Sequence, residues 1–323
     1  MERTVALKAF NEQTQARFIL SVNRSYAPQA VQRECAKFLK DKNGLPIPVE
    51  VILDFFSKSV PDHCRLKVEI QGNSHGAFLE VMWLDKETSA QVLRDVRSFS
   101  TTMGISDHGN IKVGKDSRGQ GYGADYAFDM FRFMHIIQVN ENRITASSVN
   151  GGHFWSLMGV KYKEEDDTED SDWRDNNKIV DQLGARLDIL TAYIPEDIKE
   201  DLERILKNFK RSRNPEYIWS LSDYKYDLRE RGLTNEILSV IGDGYQMNAE
   251  AIAYLKRQKE LPLGQLLMVS TTWLGIFNPK DKQTIKRLER YVGRSFATGD
   301  ALEIKKSASP RRRKKNTTKP GAP

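Results

Sequence analysis

The spacing of apolar residues changes character several times along the chain. Up to residue 60 it is helical in period: Val5, Ala6, Ala9 and Phe10 begin one stripe, and Val31, Cys35, Phe38 and Leu39 form a second. Pro46 and Pro48 then interrupt it. From Pro61 the period shortens to two. Arg65-Leu66-Lys67-Val68-Glu69-Ile70 alternates strictly and stops at Gly72-Asn73, which predicts a half-buried strand. Residues 76–85 and 90–100 predict two more strands of an antiparallel sheet, and the short apolar pair Ile111 and Val113 follows Gly109-Asn110.

Residues 122–137 return to helical period, with Ala124, Phe128, Phe131 and His135 on one face and Asp125, Asp129 and Arg132 on the opposite, polar face. A strand over 142–149 and a short helix around 154–158 follow. The acidic run 164–172, EEDDTEDSD, is too charged to pack and predicts a linker. Beyond it the pattern is mainly helical. Pro195 precedes Glu196 and Asp197 at a first turn, and Ile198, Leu202, Ile205, Leu206 and Phe209 form the buried stripe. Further helices are predicted over 234–240, 248–259 with Asn248 as cap, and 281–292. The expected organisation is an N-terminal helical segment (1–60), a sheet-bearing domain (61–163), an acidic linker (164–172), a helical C-terminal region (173–302) and a disordered basic tail (303–323).

Composition adds limits to this outline. With 39% hydrophobic and 29% charged residues, the chain has the profile of an ordinary soluble globular protein. Its longest apolar stretch, 266–277, is broken by Ser270, Thr271, Thr272 and Gly275, short of what a membrane span needs. The first residues include Glu2, Arg3 and Lys8 and lack an apolar signal core, so the expected location is cytoplasmic, with no membrane partner. The net charge of +6 belongs to the tail, where residues 303–323 hold eight Lys or Arg against one Glu, leaving the rest near −1. Pro310-Arg311-Arg312-Arg313-Lys314-Lys315 therefore predicts at most a weak, salt-dependent contact with nucleic acid. Cys35, Cys64 and five scattered histidines have no metal-ligand spacing, so no metal is expected.

The chemistry is concentrated in Arg118-Gly119-Gln120-Gly121-Tyr122-Gly123. A diphosphate needs several donors converging on its oxygens, and backbone N–H groups can converge only where side chains do not intrude. Where such a loop opens a helix, unpaired first-turn N–H groups and the helix dipole add positive potential. A plain tight turn is the competing explanation of these glycines. A Rossmann loop would need a buried parallel strand before it, which the antiparallel strands upstream argue against, although Glu141 is nearly placed as its acidic residue. A Walker loop is excluded because no Gly-Lys-Ser or Gly-Lys-Thr follows.

On these residues the segment resembles the GNAT superfamily of N-acetyltransferases, whose signature is Arg or Gln, two residues, Gly, one residue, then Gly or Ala. Arg118, Gly121 and Gly123 fit it, and the strand 143–149 with Asn150-Gly151-Gly152-His153-Phe154-Trp155-Ser156-Leu157-Met158-Gly159-Val160 follows in the family's order. The resemblance is specific over 105–163, extends by strand pattern to 61, and is absent from 173 onward. It implies an α+β fold: a GNAT-like mixed, mostly antiparallel sheet with flanking helices, here joined to a mainly helical C-terminal region.

The resemblance further implies acetyl-CoA as cosubstrate and an amine acceptor, small molecule or protein. The strand before the loop and the strand after the helix would splay to admit the pantetheine arm. The implied cofactor-binding residues are Ile111, Val113, Arg118, Gly119, Gln120, Gly121, Tyr122, Gly123, Ala124, Asn150 and Trp155. Trp155 falls where many members place a tyrosine that protonates the departing thiolate, a role an indole N–H cannot fill at neutral pH. Core packing is the bland alternative for it. Candidates for the base that accepts the amine proton are Glu80, Asp107 and His108, with Asp95 also considered. The missing phenol keeps a second expectation alive, a non-catalytic GNAT-fold binding or structural protein, for instance in a phage particle or bacterial assembly.

Overall fold

The structure is a computed structural model. It describes residues 55–72, 77–100, 103–146, 149–162, 176–212 and 216–296, together with residues 18–22 and Arg33, Leu39, Lys40, Gly44, Ile47 and Ile52. The acidic run 164–172, the tail 303–323 and most of the helical pattern expected before residue 60 lie outside these residues.

Eight strands among the described residues form one sheet: β1 (Phe18–Val22), β2 (Cys64–Gly72), β3 (Ala77–Asp85), β4 (Gln91–Ser100), β5 (Ile105–Val113), β6 (Glu141–Ala146), β7 (Lys161–Tyr162) and β8 (Trp273–Phe277). Their order is β1-β2-β3-β4-β5-β6-β8-β7. The β1–β2 and β5–β6 pairs are parallel and the others antiparallel, so the chain is a mixed α+β fold on a mostly antiparallel sheet. β1 corrects the helical expectation for the N-terminal segment, since residues 18–22 pair with Leu66 to Ile70.

Alternation along the central strands separates two faces. Leu79, Val81 and Trp83 on β3 and Leu93, Asp95, Arg97 and Phe99 on β4 are buried, while Glu80, Met82, Arg94 and Val96 turn the other way. The buried face is covered by α1 (Tyr122–Ile136), which closely matches the predicted helix. α1 is apolar on two sides. Tyr126, Met130, Phe133 and Met134 join Leu39, Phe55 and Phe56 over β2–β4, whereas Ala127, Phe128 and Phe131 join the core built by the C-terminal helices. That explains why Asp129, expected on a solvent face, is buried: Arg294 reaches it at 2.6 Å. Each fully buried large apolar side chain contributes roughly 1.5–3 kcal/mol, so α1 is the element that ties both cores together.

After β6 come α2 (Gly151–Leu157) and β7, then α3 (Asn176–Leu190), α4 (Glu196–Ser212), α5 (Glu216–Ser222), α6 (Asn235–Gly244), α7 (Ala249–Lys256) and α8 (Leu263–Met268). β8 and α9 (Lys282–Val292) complete the described residues' regular structure. The helix starts follow their caps: Asn248 accepts from the Ala251 amide at 2.8 Å, and Asp281 accepts from Gln283 and Thr284 at 3.0 Å. The C-terminal region is mainly helical, as expected, but β8 was not expected. It enters the sheet between β6 and β7, so the helices α3–α8 are an excursion between two strands of one sheet. No helix among the described residues is long and apolar enough to cross a membrane.

Candidate functional site

β5 and β6 are hydrogen-bonded for only four residues, from Ile105 opposite Glu141 to His108 opposite Ile144. β5 nevertheless continues to Val113 and β6 to Ala146, so the two strands part company. The cause is visible in the β4–β5 register. Val96 pairs with Asn110 and Arg97 with His108, leaving Gly109 as the extra residue of a β-bulge. A bulge bends its strand, and glycine makes the bend inexpensive. β6 is meanwhile held on its other side by β8, from Asn142 opposite Phe277 to Ala146 opposite Trp273.

The chain leaves β5 through Gly114, whose amide donates to Val92 O at 2.8 Å. A Cβ here would meet Gln91 O at 2.8 Å, so this position needs glycine. A single turn, Lys115–Ser117, leads into the loop. Gly119 and Gly121 adopt φ of +80° and +86°, and a Cβ at either would meet nothing within 4 Å. These glycines are required by backbone conformation, and the surface above them is open. Gly121 caps α1 without any side-chain cap bond, and its carbonyl accepts from the Ala124 and Asp125 amides. Helix geometry leaves the Tyr122 and Gly123 amides without intrahelical acceptors at the positive end of the dipole.

The structure distributes the predicted binding residues unevenly around this mouth. Gly119, Gln120 and Gly121 are exposed, with Gln120 Nε2 donating to Asp116 O at 3.3 Å. Gly123, Ala124, Ile111 and Val113 are half-buried, and a Cβ on Gly123 would lie 3.5 Å from Val113 Cγ2. Tyr122 turns inward against Trp83, with ring centroids 5.9 Å apart, and burial pushes its phenol up. Asn150, at the start of α2, has a buried Oδ1 with no hydrogen-bond partner among the described residues.

Trp155 lies elsewhere. It is 4% exposed, packed between Phe131 and Phe154 at centroid distances of 6.1 and 4.8 Å, and it is a core aromatic. The α2 side chain beside the loop is Phe154, whose Cζ is 4.0 Å from the Cβ position of Gly123.

Three residues absent from the sequence reading complete the mouth. Glu250 on α7 accepts from Arg118 NH1 at 2.6 Å, while Arg118 Nε donates to Val113 O at 3.3 Å. Arg118 in turn holds the Glu250 carboxyl below its usual range, by hydrogen bond and by charge. Tyr254, one turn further along α7, receives a hydrogen bond from Gln265 Nε2 at 2.9 Å, and burial raises its phenol. Tyr291 on α9 stands edge-on to Phe154, 6.4 Å between centroids, and is 42% exposed. The helix 248–259 was legible, but nothing in its sequence shows which distant loop it faces.

The base candidates do not converge. Glu80 is engaged by Arg94 at 2.6 Å on the sheet face away from α1. Asp107 is exposed on β5, two positions before the bulge. The His108 side chain lies outside the described residues, and its backbone occupies the last paired position of β5 with β6. Asp95 is sealed beneath α1, bound by Arg97 Nε and Tyr126 OH at 2.8 Å each. Among the described residues no three His, Cys, Asp or Glu are grouped to hold a metal. No family model matches the chain, and neither a curated protein nor a solved structure matches it, so what this mouth does must be read from its own residues.

Proposed function

We propose that the chain binds acetyl-CoA at the opening between β5 and β6 and transfers its acetyl group to an amine, as the resemblance to N-acetyltransferases implies. The observation that carries this reading is the parallel strand pair that opens at the Gly109 bulge with a glycine loop and a bare helix start at its mouth. Amides of residues 119–123 and the Arg118 guanidinium are the donors for the diphosphate. The diverging strand edges supply backbone groups for the pantetheine amides, and the orphaned Asn150 Oδ1 supplies an acceptor.

In the transfer, the amine nitrogen bonds to the thioester carbonyl carbon, the carbon–sulfur bond breaks, the nitrogen loses a proton and the thiolate gains one. Asp107, exposed beside the bulge, is the favoured base of those considered, because Glu80 is held by Arg94. A second reading, binding without turnover, draws on Phe154: the α2 side chain next to the loop carries no proton to give.

Calorimetric titration of coenzyme A into the wild-type chain and Gly121→Glu tests the site, and thiol release from acetyl-CoA over a panel of amines and peptides tests transfer. The site reading expects micromolar-range binding that Gly121→Glu abolishes, at a backbone strain cost of about 1–2 kcal/mol. Absence of wild-type binding, or full affinity in a folded Gly121→Glu, overturns it. Binding with no thiol release selects the second reading.

A further inference from the structure

Resting on the acyl-CoA reading of this mouth, we infer that Glu250 is an affinity-setting residue for the phosphate-bearing ligand: its carboxylate occupies the anion position on Arg118 and must leave before a diphosphate can take it. Arg118 and Glu250 are 132 residues apart, yet NH1 and Oε1 meet at 2.6 Å. This is an unusual partner for the one arginine of a loop otherwise built to present donors to solvent. The glycines leave the space above the loop open, and among the described residues the carboxylate paired with Arg118 comes from α7.

Both side chains are partly exposed, 39% for Arg118 and 48% for Glu250, so the pair is screened by water and weak enough to be exchanged. Each partner is anchored independently. Arg118 is held by Val113 O, and Glu250 sits in the first turn of α7, capped by Asn248, where a negative charge is favoured by the dipole. Displacing Glu250 therefore moves a side chain and leaves α7 in place. A carboxylate is singly charged and meets the guanidinium through one oxygen here, whereas a diphosphate offers more charge and more acceptors to Arg118 and the loop amides together. The ligand class implied is one with at least two linked phosphates; an isolated carboxylate gains nothing over the resident one.

Coenzyme A titrated into the full chain, with Glu250→Gln, Arg118→Gln and the double variant alongside, tests this. Glu250→Gln removes both the competing charge and its repulsion of the incoming phosphates, and its expected effect is a three- to tenfold gain in affinity. In the Arg118→Gln background the same change yields a clearly smaller gain, because the competition for the guanidinium is gone. Glu260→Gln, an exposed carboxylate past the end of α7, serves as the charge control and leaves affinity unchanged. Unchanged or weaker binding by Glu250→Gln, with wild-type binding intact, overturns the inference and leaves the site reading standing. A gain equal to that of Glu260→Gln also overturns it. No binding by any of the proteins removes the site reading and this inference together.

Discussion

The ring of Phe131 on α1 lies flat against the ring of Phe277 on β8, with centroids 3.7 Å apart and planes within 1° of parallel. Phe277 is fully buried, and its carbonyl also accepts from Asn142 on β6, so one residue of the late strand holds both the central helix and the central sheet. Phe277→Ala should therefore cost about 3–5 kcal/mol. Because Phe277 packs in the core of the C-terminal helices, which α1 shares with the core over β2–β4, the loss should appear as one cooperative transition at a lower urea midpoint. Two separated transitions, with the first alone shifted, would show that β8 is not integral to the sheet.

That contact also shows where the sequence stopped being informative. The strands 64–72, 77–85 and 91–100 and the helix after the glycines were legible because each carries its own period of two or 3.6 over eight or more residues. β8 is five residues long with no polar alternation, one face buried and the other half-buried against its neighbours, so it read as the tail of an apolar run. The site divides in the same way. Gly119, Gly121 and Gly123 announced a loop through composition, whereas Glu250, Tyr254 and Tyr291 reach it only through the excursion of α3–α8 and the final helix. The bulge at Gly109 was equally silent, since a glycine in a strand pattern does not reveal which pairing it breaks.

Trp155 gives a direct test of the corrected site. As a core aromatic against Phe131 and Phe154, it gains nothing chemically by becoming tyrosine. Trp155→Tyr should lose about 1–3 kcal/mol of stability, through the packing lost when a phenol ring replaces the larger indole, and should leave the rate of thiol release per folded molecule unchanged. A rise in that rate would place residue 155 at the reacting atoms and contradict its burial.

Asp129 and Arg294 allow a prediction about charge. The Asp129 carboxyl is 1% exposed; burial pushes its pKa up while Arg294, 2.6 Å away, pulls it down. Arg294→Leu takes the guanidinium from a buried carboxylate, leaving the Ser59 hydroxyl and the Arg132 charge to oppose its burial, and should cost about 2–4 kcal/mol at neutral pH. Burial already holds Asp129 above its unfolded value in the wild type, and losing Arg294 raises it further, so the folded variant takes up the proton first and the deficit against wild type shrinks as pH falls. Asp129→Asn combined with Arg294→Leu should recover much of the loss at pH 7. Urea midpoints at pH 7 and pH 5 decide it, and a deficit that grows on acidification would be the wrong sign.

His153 supplies a pH dependence of its own, through groups on α2, α5 and α9. Its ring is 9% exposed, Nε2–H donates to Ser222 O at 3.2 Å, and burial pushes its pKa down to about 4, with Asp223 partly opposing and Arg287 reinforcing the shift. In the unfolded chain the same imidazole titrates near its ordinary value of 6.5. Between those values the unfolded state binds the proton and the folded state does not, so stability is complete above about 6.5 and is lost as pH drops toward 4. The full loss is on the order of a few kcal/mol. His153→Gln keeps a donor for Ser222 O but cannot be protonated. It should be less stable than wild type at pH 7.5 and lose less on acidification, so the gap between the two proteins narrows by pH 5. Carboxylates titrate alike in both proteins and cancel in that comparison. A gap that stays constant from pH 7.5 to 5 would mean that His153 accepts its proton in the folded chain without cost, and the burial deduced from its surroundings would be wrong.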